Sequence, residues 1–281
     1  MAFTQTVTCG VWLVVQAFGV WQIYYDTSTT ISPFGYGYFA QIRSVFALCI
    51  LALSFFCITK CILTHPGAVP VDWDTYVKNK NVPISHSDPN SFHPRSAVFC
   101  KECQRPRPER AYHCEQEGIC VMKFDSWVPL FGQSIGLRNA KLYLLSTFYS
   151  SFIFIWVAWV CGREAFDSSV KQAFTPGERA FSAVIFLAIY IPLGSISLVS
   201  FFLFFTRCAT NRTFQERNFT ARNPYDLGFS ENMKQVLGKF SYEWFMPYRV
   251  EYPDNAGLFF PVNIPVFEGK YGAMVSKESD E

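Results

Sequence analysis

Residues 100–139 read CKECQRPRPERAYHCEQEGICVMKFDSWVPLFGQSIGLRN. This stretch holds four of the ten cysteines in the chain, and the spacing between them makes it readable. Cys100 and Cys103 form a Cys-x2-Cys pair; His113 follows after nine intervening residues, next to Cys114, and Cys120 comes six residues later. A cysteine pair followed by a histidine and a further cysteine supplies the three thiolates and one imidazole of a closed tetrahedral zinc site. Cys100, Cys103, His113 and Cys120 are therefore the expected ligands of one structural zinc ion. A second, interleaved set breaks off. Glu117 stands where such a site would use a cysteine, and Asp125-Ser126-Trp127-Val128 offers neither thiol nor imidazole.

Outward from this stretch the chain turns apolar. Half of its 281 residues are hydrophobic and 18% are aromatic. They gather in four blocks of roughly 20 residues, the length that crosses a hydrocarbon core of about 30 Å. The blocks run from Val7 to Tyr25, Ser44 to Leu63, Leu142 to Cys161 and Ala180 to Phe205. Gln16 and Gln22 in the first imply packing against protein on one side. Pro192 and Gly194 predict a kink near the middle of the fourth. The first block lacks a basic leader and runs too long for a removable signal peptide.

A formal charge of +2 is too small to point to a nucleic-acid partner. The cysteines do not form a disulfide framework, because Cys9, Cys49, Cys57, Cys61 and Cys161 lie in or beside apolar blocks, and the others fall in segments read as cytosolic, where thiols stay reduced. Basic residues crowd the segment between blocks two and three and the start of the tail, at Arg207, Arg212, Arg217 and Arg222, while residues 26–41 carry none. That bias places the central segment and both termini in the cytosol. The expected fold is an all-α, multi-pass membrane protein with four transmembrane helices and a small zinc-stabilised domain between helices two and three. Its divisions are 1–67 (helices one and two), 68–140 (zinc domain), 141–206 (helices three and four) and 207–281 (cytosolic tail).

The pattern Cys-x2-Cys-x9-His-Cys-x2-Glu117-x2-Cys-x4-DSWV-x5-Ser134-x4-Asn139 resembles, without a gap, the cysteine-rich domain of the DHHC protein S-acyltransferases, or palmitoyltransferases. The likeness extends beyond it. His65-Pro66-Gly67 is similar to the family's DPG motif, Thr213-Phe214-Gln215-Glu216 to its TTxE motif, and Asn223-Pro224-Tyr225-Asp226-Leu227-Gly228 to its conserved tail in a fungal-like form. Asn139 closes the domain motif.

The resemblance implies acyl transfer from acyl-CoA to a cysteine of the enzyme, then to a cysteine of a client protein. That chemistry uses a thiolate nucleophile, a histidine base and an aspartate that orients the base. By position these fall on Val128, Ser126 and Asp125, and Asp125 alone is kept. The family's two zinc sites fall on Cys100, Cys103, His113 and Cys120, all present, and on Cys114, Glu117, Trp127 and Ser134, where three of four ligands are gone. Trp127 and Val128 could fill that second half with an apolar cluster.

Other readings of these residues stay open. Cys114 could be a relocated nucleophile, His86 and His93 could join Cys114 and Glu117 in a rebuilt metal site, and Asp125 could serve as a helix cap or an ion-pair partner. Cys208, beside the fourth block, is a candidate for lipidation by another enzyme. The losses point to a catalytically impaired pseudoenzyme of endomembranes or the plasma membrane. It would act on membrane lipids, protein clients, an active acyltransferase or a small accessory subunit, with one zinc and an acyl-CoA surface. The alternative is an active S-palmitoyltransferase with a relocated nucleophile. A transporter or receptor with a polar cavity is the third reading, and the scarcity of charges inside the blocks argues against it.

Overall fold

The computed structural model describes residues 17–21, 37–85, 92–166, 175–248, 250 and 257–263. The chain divides into two compact units. One comprises Met1–Cys61 and Leu142–Phe204, the other Ile62–Lys141 and Phe205–Glu281.

The first unit is helical. α1 runs over Gly37–Leu63 and α3 over Ala140–Phe166; α4 (Pro176–Ile185) continues through a wide turn at Phe186–Tyr190 into α5 (Ile191–Ala209). Among the described residues, three helical stretches are long and apolar enough to cross a membrane: Gln41–Leu63, Ala140–Arg163 and Pro176–Ala209, with mean hydropathies of 2.4, 1.8 and 2.2. The first apolar block, Val7 to Tyr25, falls mostly outside the described residues; of it, residues 17–21 are helical. In their most apolar windows, buried residues make up 72% of Ala140–Arg163 against 33% and 11% of the other two, so α3 is the most buried of the three. It holds α1 through a hydrogen bond between the Ser54 and Ser150 hydroxyls at 3.0 Å, and through Cys57, Leu145 and Tyr149.

α4 starts on a capping box: the Thr175 side chain accepts from the Glu178 N–H, and the Glu178 carboxylate accepts from the Thr175 N–H. The expected irregularity in the last helix exists, but it lies ahead of Pro192. Proline offers no N–H to the carbonyl four residues back, and the helix widens at Phe186–Tyr190, where the Ile191 N–H donates to the Phe186 carbonyl. Gly194 instead gives close approach to α3, since a Cβ there would lie 3.5 Å from Phe154 Cβ.

The all-α expectation does not extend to the second unit, whose described residues include seven short strands besides α2 (Trp73–Asn79) and α6 (Phe229–Leu237). β1 (Ile84–Ser85), β2 (Ala97–Cys100) and β3 (Arg105–Arg107) form one sheet in that order, β1 parallel and β3 antiparallel to β2. Two hairpins follow: β4 (Tyr112–Cys114) with β5 (Ile119–Val121), and β6 (Ser126–Val128) with β7 (Gln133–Ile135). Strands of two to four residues show no readable alternation, which is why hydropathy did not reveal them. Gly118, at φ +67, turns the first hairpin.

The Pro66-Gly67 corner is threaded into this unit by backbone hydrogen bonds. Pro66 O accepts from Arg138 N at 3.1 Å, and Gly67 O accepts from Met122 N at 2.8 Å. Gly136 sits where a Cβ would lie 2.7 Å from Pro66 O. A core around Trp73, Phe92, Met122, Phe219, Tyr225 and Phe260 joins the strands to the tail.

Candidate functional site

The hairpins bring the four predicted zinc ligands together. Cys100 ends β2, Cys103 follows in the turn to β3, and His113 and Cys120 face each other across β4 and β5. Their ligand atoms all lie within 4.8 Å of one another. Cys103 Sγ is 3.2 Å from His113 Nδ1 and 3.6 Å from Cys120 Sγ. Thiolates about 2.3 Å from a tetrahedral zinc stand about 3.8 Å apart, so this donor set fits that ion in chemistry and spacing. Cys103 N also donates to Cys100 Sγ at 3.5 Å.

The second half of the domain is built differently. Among the described residues the first set is the one cluster of three or more His, Cys, Asp or Glu able to hold a metal. Cys114 is buried at 1% exposure and its sulfur accepts from the Ser134 hydroxyl at 3.2 Å. Glu117 reaches the Ser134 backbone N–H with its carboxylate. Trp127 pairs with Ser134 across β6 and β7 and packs against a cluster of Cys114, Val121 and Phe124. The indole Nε1 of Trp127 is buried without a hydrogen-bond partner among the described residues. A hydroxyl, a carboxylate on a backbone amide and an indole do not make a zinc set. His93 joins no such cluster, and His86 lies outside the described residues.

The Asp125–Val128 segment enters the β6–β7 hairpin. Val128 is half-buried, and its carbonyl accepts from Phe131 N at 3.0 Å and Gly132 N at 2.9 Å. Asp125 is buried, and its two carboxylate oxygens have different partners. Oδ1 accepts from the Phe214 N–H and lies 3.0 Å from Arg207 Nε, while Oδ2 accepts from the Ser126 hydroxyl at 2.9 Å. Burial pushes the Asp125 carboxyl above its ordinary value, against the opposing pull of Arg207, Phe214 N–H and the Ser126 hydroxyl. Asp125 is an ion-pair partner here.

Behind the loop, the tail motifs make one buried network. Glu216 pairs with Arg110 through two hydrogen bonds of 2.7 Å, and Arg110 also donates to the side chain and carbonyl of Asn211 at 2.9 Å each. The Arg110 guanidinium lies 4.5 Å from the Tyr225 ring centroid and 5.0 Å from that of Phe260. Thr213 N donates to Glu216 at 2.9 Å. Asn223 donates to the carbonyls of Thr210 and Asn211, and Gly228, at φ +90, starts α6. Asn139 accepts from Gly136 N and donates to Ser134 O, both at 2.8 Å. Cys208 is 7% exposed.

Two polar residues escaped the sequence reading. Glu109, 5% exposed, accepts from the N–H groups of Arg95 and Phe260, and burial pushes its carboxyl up to about 7. Lys123 has its amine 5.7 Å from the Phe260 ring centroid, and burial, aided by the Arg110 charge, pushes it down to about 8. Both fall at unspecified positions of the 100–139 pattern, and their environments come from segments distant in sequence.

Residues 93–220 match the family model described as DHHC palmitoyltransferase. Among curated proteins, a probable protein S-acyltransferase of Arabidopsis thaliana is 28% identical over 236 residues, 77% of this chain and 75% of that one. A palmitoyltransferase of Danio rerio is 29% identical over 181 residues, 59% of this chain and 53% of its own length. A palmitoyltransferase of Gibberella zeae is 29% identical over 218 residues, 74% of this chain and 36% of that protein.

Proposed function

Since the chain belongs to the DHHC palmitoyltransferase family, we propose that it is a member impaired in thioester chemistry, acting by binding or regulating acyltransferases or their protein clients. One observation carries the reading. The nucleophile position holds Val128, whose side chain has no lone pair to offer an acyl carbonyl, and the base position holds Ser126, whose hydroxyl donates to Asp125 and cannot take a thiol's proton as an imidazole would. The relocated-nucleophile alternative is weakened by Cys114, which is buried against Ser134.

In this reading the chain crosses an endomembrane or the plasma membrane several times, with both termini in the cytosol. Cys100, Cys103, His113 and Cys120 hold one zinc, which supplies no reaction step and ties β2, β4 and β5 together. Arg110 and Glu216 fasten the tail to that domain, and Asp125 fastens the altered loop to Arg207 and Phe214. The partners are lipids, client proteins, an active acyltransferase or a small accessory subunit, recognised on a surface that keeps the family fold without its thioester step.

The test is thioester formation. The full chain, purified in detergent, is incubated with a clickable long-chain acyl-CoA and a cysteine-bearing acceptor protein. The expected result is no adduct that neutral hydroxylamine removes, on the chain or on the acceptor. A hydroxylamine-labile adduct abolished by Cys114→Ala would overturn the reading.

A further inference from the structure

Ser126 and Asp125 form a pair that the family's cysteine chemistry does not use. The Phe214 N–H donates to one oxygen of the Asp125 carboxylate, and the Arg207 guanidinium is ion-paired with that same oxygen. The other oxygen is left to the Ser126 hydroxyl at 2.9 Å. The acceptor is buried at 5% exposure, whereas Ser126, at the start of β6, is half-exposed. A hydroxyl that a reactant can reach, hydrogen-bonded to a carboxylate that cannot turn away, is a nucleophile paired with its base.

We propose that Ser126 is an acyl-acceptor site, taking an acyl group from a long-chain acyl thioester as an oxygen ester with Asp125 as the base. The choice of acyl donor rests on the family reading above; the acceptor rests on the hydrogen-bond geometry. Ser126 Oγ attacks the thioester carbonyl carbon as its proton passes to Asp125 Oδ2. The carbon–sulfur bond breaks, and the departing thiolate takes the proton from Asp125, leaving an ester and a free thiol. An oxygen ester is a poorer donor to a thiol than a thioester is, so the acyl group stays on the chain. The product is an acyl-loaded state of a protein that does not transfer onward.

The sequence provides a clean readout. Trypsin cuts after Lys123 and Arg138, and the peptide from Phe124 to Arg138 contains no cysteine, its only hydroxyls being Ser126 and Ser134. The full chain in detergent is incubated with a clickable palmitoyl-CoA analogue, treated with neutral hydroxylamine, digested and analysed by mass spectrometry. The expected result is an acyl mass on this peptide, resistant to neutral hydroxylamine, released by alkali and placed on Ser126 by fragment ions. Ser126→Ala lowers it at least tenfold. Asp125→Asn, whose amide cannot take the proton, slows it by about a hundredfold at unchanged zinc content. Ser126→Cys gains a hydroxylamine-labile adduct at the same position.

An unlabelled parent peptide overturns the proposal, whether or not Ser126→Cys becomes labelled, and so does an acyl group placed on Ser134. A hydroxylamine-labile adduct on a native cysteine of the parent would instead overturn the impaired-transferase reading, so the two failures are distinguishable.

Discussion

Arg110 and Glu216, separated by 106 residues, meet in a two-point ion pair with both hydrogen bonds at 2.7 Å and both side chains 1% exposed. The pair clamps the strand-rich domain to the tail that follows the last membrane helix. Two charges taken out of water in this way hold together only while each has the other, and removing one leaves an uncompensated buried charge.

Glu216→Ala is therefore expected to destabilise the second unit by about 3–5 kcal/mol. Arg110→Lys should be damaging too, since an ammonium cannot supply the two-point geometry or the donors to Asn211. Thermal unfolding in detergent measures the first effect. Faster proteolysis within residues 207–263 would show that the tail has come free.

Metal analysis should find one zinc per chain. Cys103→Ser should remove it, while Cys114→Ser should leave it in place, because Cys114 hydrogen-bonds to Ser134 and lies outside the ligand cluster. Structural zinc contributes about 10–16 kcal/mol near neutral pH, so chelation should unfold the β2–β5 region. Two zinc ions per chain would mean that the second half binds metal after all.

Glu109 makes stability depend on pH. Its carboxyl is raised from 4.5 to about 7, so the folded state holds the proton more tightly than the unfolded chain does. The contribution is full below about pH 4.5 and is lost as pH rises through 7, a change of up to about 3 kcal/mol. Glu109→Gln keeps an acceptor for the Arg95 and Phe260 N–H groups but cannot ionise. Melting temperature should fall less steeply between pH 4.5 and 7 in Glu109→Gln than in the parent. Parallel curves would disprove the assignment.

Gly136→Ala tests the close approach at the β7–α3 corner. A Cβ there would meet Val121 Cγ1 at 2.6 Å and the Pro66 carbonyl oxygen at 2.7 Å, and the second neighbour is backbone. Overpacking of this kind costs about 1–3 kcal/mol. A melting temperature unchanged from the parent would show that the corner can shift.

How much of this was readable in advance depends on the range of the interaction. Cys100, Cys103, His113 and Cys120 lie within 21 residues, and the spacing a shared metal ion would require made them stand out. The membrane helices were readable for a similar reason: a bilayer demands length and apolarity from one continuous segment. By contrast, no spacing rule connects Arg110 to Glu216 or Asn211. The acidic character of Glu109 said nothing of its burial beside Phe260, 151 residues away. Pro192 announced an irregular helix but not its position, which the widened turn at Phe186–Tyr190 takes up ahead of it.

The altered loop shows the same division. Sequence was enough to read Val128 at the position where the family resemblance implies a nucleophile, because a missing functional group is a property of one side chain. It also marked the Cys/His cluster and the apolar segments, each governed by a constraint acting along neighbouring residues. Only the tertiary structure decided what became of Asp125. Arg207 and Phe214 come from the far side of two membrane-length helices to occupy one carboxylate oxygen, and Ser126 takes the other. Such partners are selected by packing between segments that fold against each other, where the cost of burying an unpaired charge governs the outcome and local sequence carries no record of it.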